Sequence, residues 1–155
     1  NVAFTSLWDN YPDSLEIPLK GKASRAYLLM AGSTNHMQCH IDNGVIRIYY
    51  KDGTRDVMFL RNPDNWPPIE HIFFEDGLAF NRHTPALYRL RLKTGEISNN
   101  FGEELGFPGA SRELDGGAAV LLEMPLNPGK KLSHLVLETL SNDVVIGLMS
   151  ITLQR

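Results

Sequence analysis

The sequence predicts an all-β fold, an antiparallel β-sandwich of about eight or nine strands. Three observations carry that prediction. Short apolar runs alternate with polar residues at a period of two, turn residues punctuate them at short intervals, and helical periodicity is weak throughout. At 155 residues and 43% hydrophobic content the chain can bury one real core, so residues 1–155 read as a single domain. It opens on Asn-Val-Ala-Phe with neither an initiator methionine nor a signal peptide, and the expectation is a piece of a longer chain.

The strands follow in order. SLEIPL (14–19) sets Leu15, Ile17 and Leu19 against Ser14, Glu16 and Pro18, and Pro18, which has no N–H to donate, marks an edge or terminal strand. RAYLLMAG (25–32) is nearly continuous in apolar residues, as expected of a central strand covered on both faces. In VIRIYYKDGTRDVMFL (45–60), two β-rich runs flank Asp52-Gly53, which predicts a hairpin closed by a type I′ turn. Further strands are expected at IEHIFF (69–74), LYRLRLK (87–93), AAVLLEMPL (118–126), LSHLVLETL (132–140) and VVIGLMSITL (144–153). LYRLRL alternates leucine with arginine, so its arginine face should meet solvent or anionic partners. SHLVLETL partly fits a helical period, but Val136, Leu137 and Thr139 lean it towards strand. The glycine-rich, polar stretch 99–117 reads as a long loop.

Composition narrows the partners. Fifteen basic and eighteen acidic residues, with no basic block, argue against nucleic acid. The longest apolar windows are broken by Glu123, Asn142 and Asp143, so no membrane-spanning helix is expected. A lone Cys39 excludes an internal disulfide and leaves the compartment open.

Four stretches carry residues with chemistry. In HMQCH (36–40), His36 and His40 would share one face of a strand while Cys39 points to the other, so the three cannot close on zinc unless the segment loops. With no second Cys/His cluster in the sequence, no metal site is assigned. Paired carboxylates support glycoside hydrolysis when they stand about 5 to 10 Å apart across the scissile bond. Asp64 with Glu70, Glu75 with Asp76, Glu103 with Glu104 and Glu113 with Asp115 all lie in or beside turns, and adjacent pairs cannot straddle a sugar. Neither a G-x-S-x-G elbow nor a glycine-rich phosphate loop is present. No catalytic residue is assigned, and the domain is not expected to be an enzyme. In WDNYPD (8–13), Asp9, Asn10 and Asp13 have the oxygen density of a structural calcium site without EF-hand spacing, the other reading being ordinary turn chemistry. Beyond that calcium, no cofactor is expected.

The fourth stretch, NPDNWPPIEH (62–71), sets Asn65, Trp66, Glu70 and His71 in one loop stiffened by Pro67-Pro68. An aromatic face with planar polar groups beside it suits a neutral sugar, which makes these four the candidate ligand-binding residues. Trp66 could equally anchor the loop on the core, since an indole buries a large apolar area with one N–H to satisfy.

Three stretches together carry a resemblance: IPLKGKASRAYLLMAGST, VIRIYYKDGTRDVMFLRNPDNW and NPGKKLSHLVLETLSNDVVIGLMSITL. They resemble β-sandwich domains of galactose-binding-like or jelly-roll type appended to large bacterial glycoside hydrolases. Similar among these are the C-terminal domains of glycoside-hydrolase-like proteins from bacterial glycan-utilisation systems. Ala26 to Ala31 match the central strand, Tyr50, Asp52 and Gly53 the hairpin, and Asn65 and Trp66 the loop, while Pro67 stands where related domains often carry a second aromatic. The resemblance implies a non-catalytic, carbohydrate-binding-like accessory module of a larger polysaccharide-degrading protein. It further implies a periplasmic or secreted, cell-surface setting and a catalytic domain of the same parent chain as partner.

Two alternatives stand beside that reading. One is a purely structural module that packs on its catalytic neighbour through an apolar patch near Phe4, Leu7 and Trp8; the other is a stand-alone glycoside hydrolase with a loop carboxylate pair. Trp66→Ala separates the roles of the indole. Loss of glycan retention with the fold intact would mark a ligand platform, and loss of thermal stability would mark an anchor.

Overall fold

Residues 2–35, 37–70, 82–101 and 114–155 are described by the computed structural model. Among the described residues the alternating runs form ten strands: β1 (Ala3–Ser6), β2 (Ser14–Pro18), β3 (Arg25–Thr34), β4 (Asp42–Tyr50), β5 (Arg55–Arg61), β6 (Arg89–Arg91), β7 (Ile97–Ser98), β8 (Ala118–Pro125), β9 (Leu132–Thr139) and β10 (Val144–Gln154). They pair antiparallel in a six-stranded sheet, β1-β10-β3-β8-β6-β7, and a four-stranded sheet, β2-β9-β4-β5. With the short β6–β7 extension set aside, the orders β1-β10-β3-β8 and β2-β9-β4-β5 are those of a jelly roll, in which the chain repeatedly crosses between two facing sheets. Among the described residues no helix is long and apolar enough to cross a membrane.

The core lies between the sheets because the period-two pattern turns one row of each strand inward. Leu28, Met30, Val120, Leu122, Ile146 and Leu148 face it from the larger sheet, and Ile46, Ile48, Leu60, Leu135 and Leu137 from the smaller. Pro18 lies on β2 at the edge of the smaller sheet, as its missing N–H requires. β3 lies inside the larger sheet, between β10 and β8. Its outer face is only half covered, however, with Tyr27, Leu29 and Ala31 partly exposed, so the continuous apolar run does not mean full burial on both faces. The Val45–Leu60 hairpin forms as β4 and β5.

Several expectations need correcting. β1 and the two-residue β7 were not foreseen, because runs this short show almost no period. The 87–93 strand shortens to Arg89–Arg91. In the expected 69–74 strand, Ile69 and Glu70 form a turn, and 71–74 lie outside the described residues, as does 102–113 of the expected 99–117 loop.

The hairpin turn also differs from type I′. Gly53 has φ +84°, whereas Asp52 is not left-handed, and Gly53 N–H donates to the Tyr50 carbonyl at 3.1 Å while Tyr50 N–H donates to the Thr54 carbonyl at 2.9 Å. This is a three-residue loop with a single left-handed glycine. Asp52 Oδ1 explains the choice, since it accepts from Thr54 N–H at 3.0 Å and from its hydroxyl at 2.6 Å, which holds Asp52 in a local turn of its own. These bonds, with Lys130 Nζ at 2.9 Å from Oδ2, hold the Asp52 carboxyl down at about 2.

Tyr50 joins this hairpin to the turn that enters β9. Its ring is in the core, and its hydroxyl donates to the Asp56 carboxylate and accepts from Asn127 N–H at 2.8 Å. Burial first, and the bond to Asp56 second, push the phenol up to about 12. The folded state therefore prefers the neutral phenol. Its contribution is complete below the unfolded value of about 10 and is lost as pH rises through about 12. Tyr50→Phe should cost about 1–2 kcal/mol at neutral pH. It should also flatten the alkaline fall in the urea midpoint between roughly pH 10 and 12, measured against the parent protein.

Candidate functional site

The loop that follows β5 is where sequence chemistry concentrates, and the structure uses it as a wedge. β3 and β8 stay paired as far as Met30 and Val120, then separate. Ile69 fills the gap: its N–H donates to the Gly32 carbonyl at 2.8 Å, and its carbonyl accepts from Ala118 N–H at 2.8 Å. Trp66 enters the core beside it and is 0% exposed. The indole lies over Gly32, where a Cβ would stand 2.8 Å from the Trp66 ring and 1.9 Å from the Val145 carbonyl oxygen. Only glycine leaves that space.

Two of the four candidate sugar residues, Trp66 and Asn65, thereby take structural roles. Trp66 is the anchor, and in this position it offers no face to a ligand. Asn65 is consumed by the end of β5, accepting from Arg61 N–H at 2.7 Å and donating through Nδ2 to the Phe59 carbonyl at 2.9 Å. Glu70 accepts from Leu114 N–H through its backbone carbonyl at 2.7 Å. His71 lies outside the described residues.

The arginine face expected to meet solvent or anions is corrected at Arg89, whereas Arg91 meets an anionic partner as expected. Arg89 is 8% exposed, and its guanidinium donates to the carbonyls of Pro68 at 2.9 Å, Ile69 at 3.2 Å and Ala118 at 3.1 Å. Buried carbonyls need donors, and a wedge between two strands presents several at once. Burial drives the Arg89 pKa down to about 10, against the opposing pull of Glu70. Arg91 pairs with Glu96 at 3.5 Å and lies 5.0 Å above the Phe101 ring.

Exposed aromatic surface is found elsewhere, on β1 and the turn between β1 and β2. Ser6 N–H donates to the Pro12 carbonyl at 3.0 Å and Tyr11 N–H to the Trp8 carbonyl at 3.2 Å, with Asn10 left-handed at φ 74°. The turn presents Trp8 (49% exposed) and Tyr11 (42%) beside Phe4 (40%). Tyr11 is central, its ring 5.3 Å from Phe4 and 6.4 Å from Trp8, inclined by 59° and 61°. Leu7 and Val2 are also exposed, so Phe4, Leu7 and Trp8, where an apolar patch is expected, all reach the surface. For calcium, Asp9 and Asp13 gather no third carboxylate or imidazole among the described residues. The signal for this surface was Trp8 and Tyr11 three apart amid Asx and proline, the pattern of a turn that cannot bury both rings.

At the same end of the sandwich, residues 37–41 loop into β4 instead of continuing β3 as a strand. His40 is left-handed at φ 58°, and its N–H donates to the Asn62 carbonyl at 2.7 Å. Its ring lies 4.5 Å from that of His83, and His40, Asp64 and His83 place ligand atoms within 4.8 Å of one another. Cys39 turns instead to Asn62, whose Nδ2 is 3.4 Å from the sulfur. His36 lies outside the described residues. His83 carries no local signal, because it lies 43 positions beyond His40 in the chain.

Of the carboxylate pairs, Glu75, Asp76, Glu103, Glu104 and Glu113 lie outside the described residues, while Asp115 pairs with Lys93 at 2.5 Å on the surface. Trp66→Ala should cost about 3–5 kcal/mol by urea denaturation, the cost of emptying a buried aromatic site. Gly32→Ala should be at least as damaging, because its Cβ collides with backbone. Compared with protein-family models, curated proteins and solved structures, the chain matches none.

Proposed function

We propose that this domain is a non-catalytic, carbohydrate-binding module of a larger glycan-degrading protein, and that it holds glycan on the Phe4, Trp8 and Tyr11 surface instead of at Trp66. The observation that carries this reading is the gathering of three exposed aromatic rings on one edge of the sandwich, with Asp9, Asn10 and Asp13 in the same turn. Sugar rings offer apolar C–H faces to an aromatic ring and hydroxyls to planar carboxylate and amide groups. Rings inclined by 59° and 61° cannot share a plane, so they suit successive units of a twisted glycan chain better than a flat crystalline face. Such contacts are individually weak and become useful through tethering to a catalytic neighbour. The jelly-roll order of strands and the resemblance to galactose-binding-like accessory domains, with the secreted or periplasmic setting it implies, support the same reading.

The second reading, a structural module, draws on the same patch, because Val2 and Leu7 add aliphatic surface that a sugar does not need. Affinity electrophoresis in soluble polysaccharides, beside a glycan array, separates the two. Trp8→Ala and Tyr11→Ala should each weaken glycan retention about tenfold, the worth of one aromatic contact. Their stability should change by less than about 1 kcal/mol, as for exposed positions. A domain that no glycan retards, or one whose retention is indifferent to both substitutions, would leave the packing reading in its place.

A further inference from the structure

We propose that His40, Asp64 and His83 form a zinc site with one open coordination position, tying together three loops at the end of the sandwich. The inference is independent of glycan binding. The three side chains come from the β3–β4 loop, the loop after β5 and the segment leading to β6, and their ligand atoms lie within 4.8 Å of one another. Asp64 Oδ2 and His83 Nδ1 stand 3.6 Å apart, too far for a hydrogen bond. Zinc bonds of about 2.1 Å in a tetrahedron place neighbouring ligand atoms roughly 3.4 Å apart, close to that spacing. The two imidazole centroids lie 4.5 Å apart with planes tilted by 36°, so one nitrogen of each ring is within reach of a shared ion.

The supporting bonds position the backbone of the three residues and orient Asp64. Asp64 Oδ1 accepts from His83 N–H at 2.7 Å, which turns Oδ2 to the shared point, and the Asp64 carbonyl accepts from the Thr84 hydroxyl at 2.8 Å. His40 is held by its own N–H on the Asn62 carbonyl at 2.7 Å. The donor set selects the metal class. Two imidazoles and one carboxylate suit zinc and its transition-metal neighbours, whereas calcium and magnesium require oxygen ligands almost throughout. Three protein ligands leave a fourth position for water, and His83, 64% exposed, keeps the cluster accessible to solvent.

The test uses the 155-residue domain stripped with a chelator, titrated with zinc chloride by calorimetry and followed by thermal unfolding. One zinc per chain should bind, and at about a hundredfold excess over Kd the melting temperature should rise by roughly 5–10 °C. His83→Ala, at an exposed ring, should keep the metal-free melting temperature and lose the zinc-dependent rise. Asp64→Asn, which retains an oxygen for His83 N–H, should weaken binding by about tenfold or more. Cobalt in place of zinc should give the visible absorption of a tetrahedral site in the parent protein and not in His83→Ala. The proposal is overturned if zinc leaves the parent's melting temperature unchanged, or if His83→Ala binds zinc as tightly as the parent.

Discussion

Trp66 can enter the core only because Gly32 has no side chain, and much of the molecule is arranged around that contact. The indole carries residues 66–70 inward, and once there Ile69 must find partners for its N–H and carbonyl. It takes them from Gly32 and Ala118, which are left unpaired where β3 and β8 part. The carbonyls still facing the interior then draw in Arg89, whose burial would otherwise be costly. One missing Cβ thus connects a tryptophan, an interrupted ladder and a buried guanidinium. An apolar contact sets the position, and hydrogen bonds make that position tolerable.

The same wedge determines what the end of the sandwich can present. Asp64, two residues before the buried Trp66, is only partly exposed, where Thr84 and His83 meet it and His40 approaches from the β3–β4 loop. The β1–β2 turn lies at this end too, tied back by Thr139 N–H on the Asp13 carbonyl at 2.9 Å and by Thr5 against Thr139 across the two sheets at 2.7 Å. The two sheets therefore carry two groups of side chains at one end, an exposed aromatic group and a partly buried His-Asp-His cluster. That division suits a scaffold that leaves its chemistry to loops.

Local signals were legible where the cause was local. The alternation in SLEIPL, the proline at its end and the Asp-Gly hairpin all survive in the structure, since each depends on neighbours a few residues away. Even there the type of turn was not readable, because Asp52 bonding to Thr54 competes with the conformation that Asp-Gly permits. Arg89 was read in the wrong direction for a deeper reason. Period two says which residues share a face, but it cannot say that carbonyls from a loop 20 residues upstream will stand over that face and need donors.

The sequence by itself determined the class of fold, its turn-rich strands and the edge position of β2, because these follow from backbone geometry and from the cost of leaving apolar rows in water. Which way Trp66 points, that Trp8 and Tyr11 gather beside Phe4 at the surface, and that His83 meets His40 and Asp64 are settled in the tertiary structure alone. These facts depend on contacts between residues far apart in the chain. Composition names the side chains available for such contacts, and packing alone decides which of them meet.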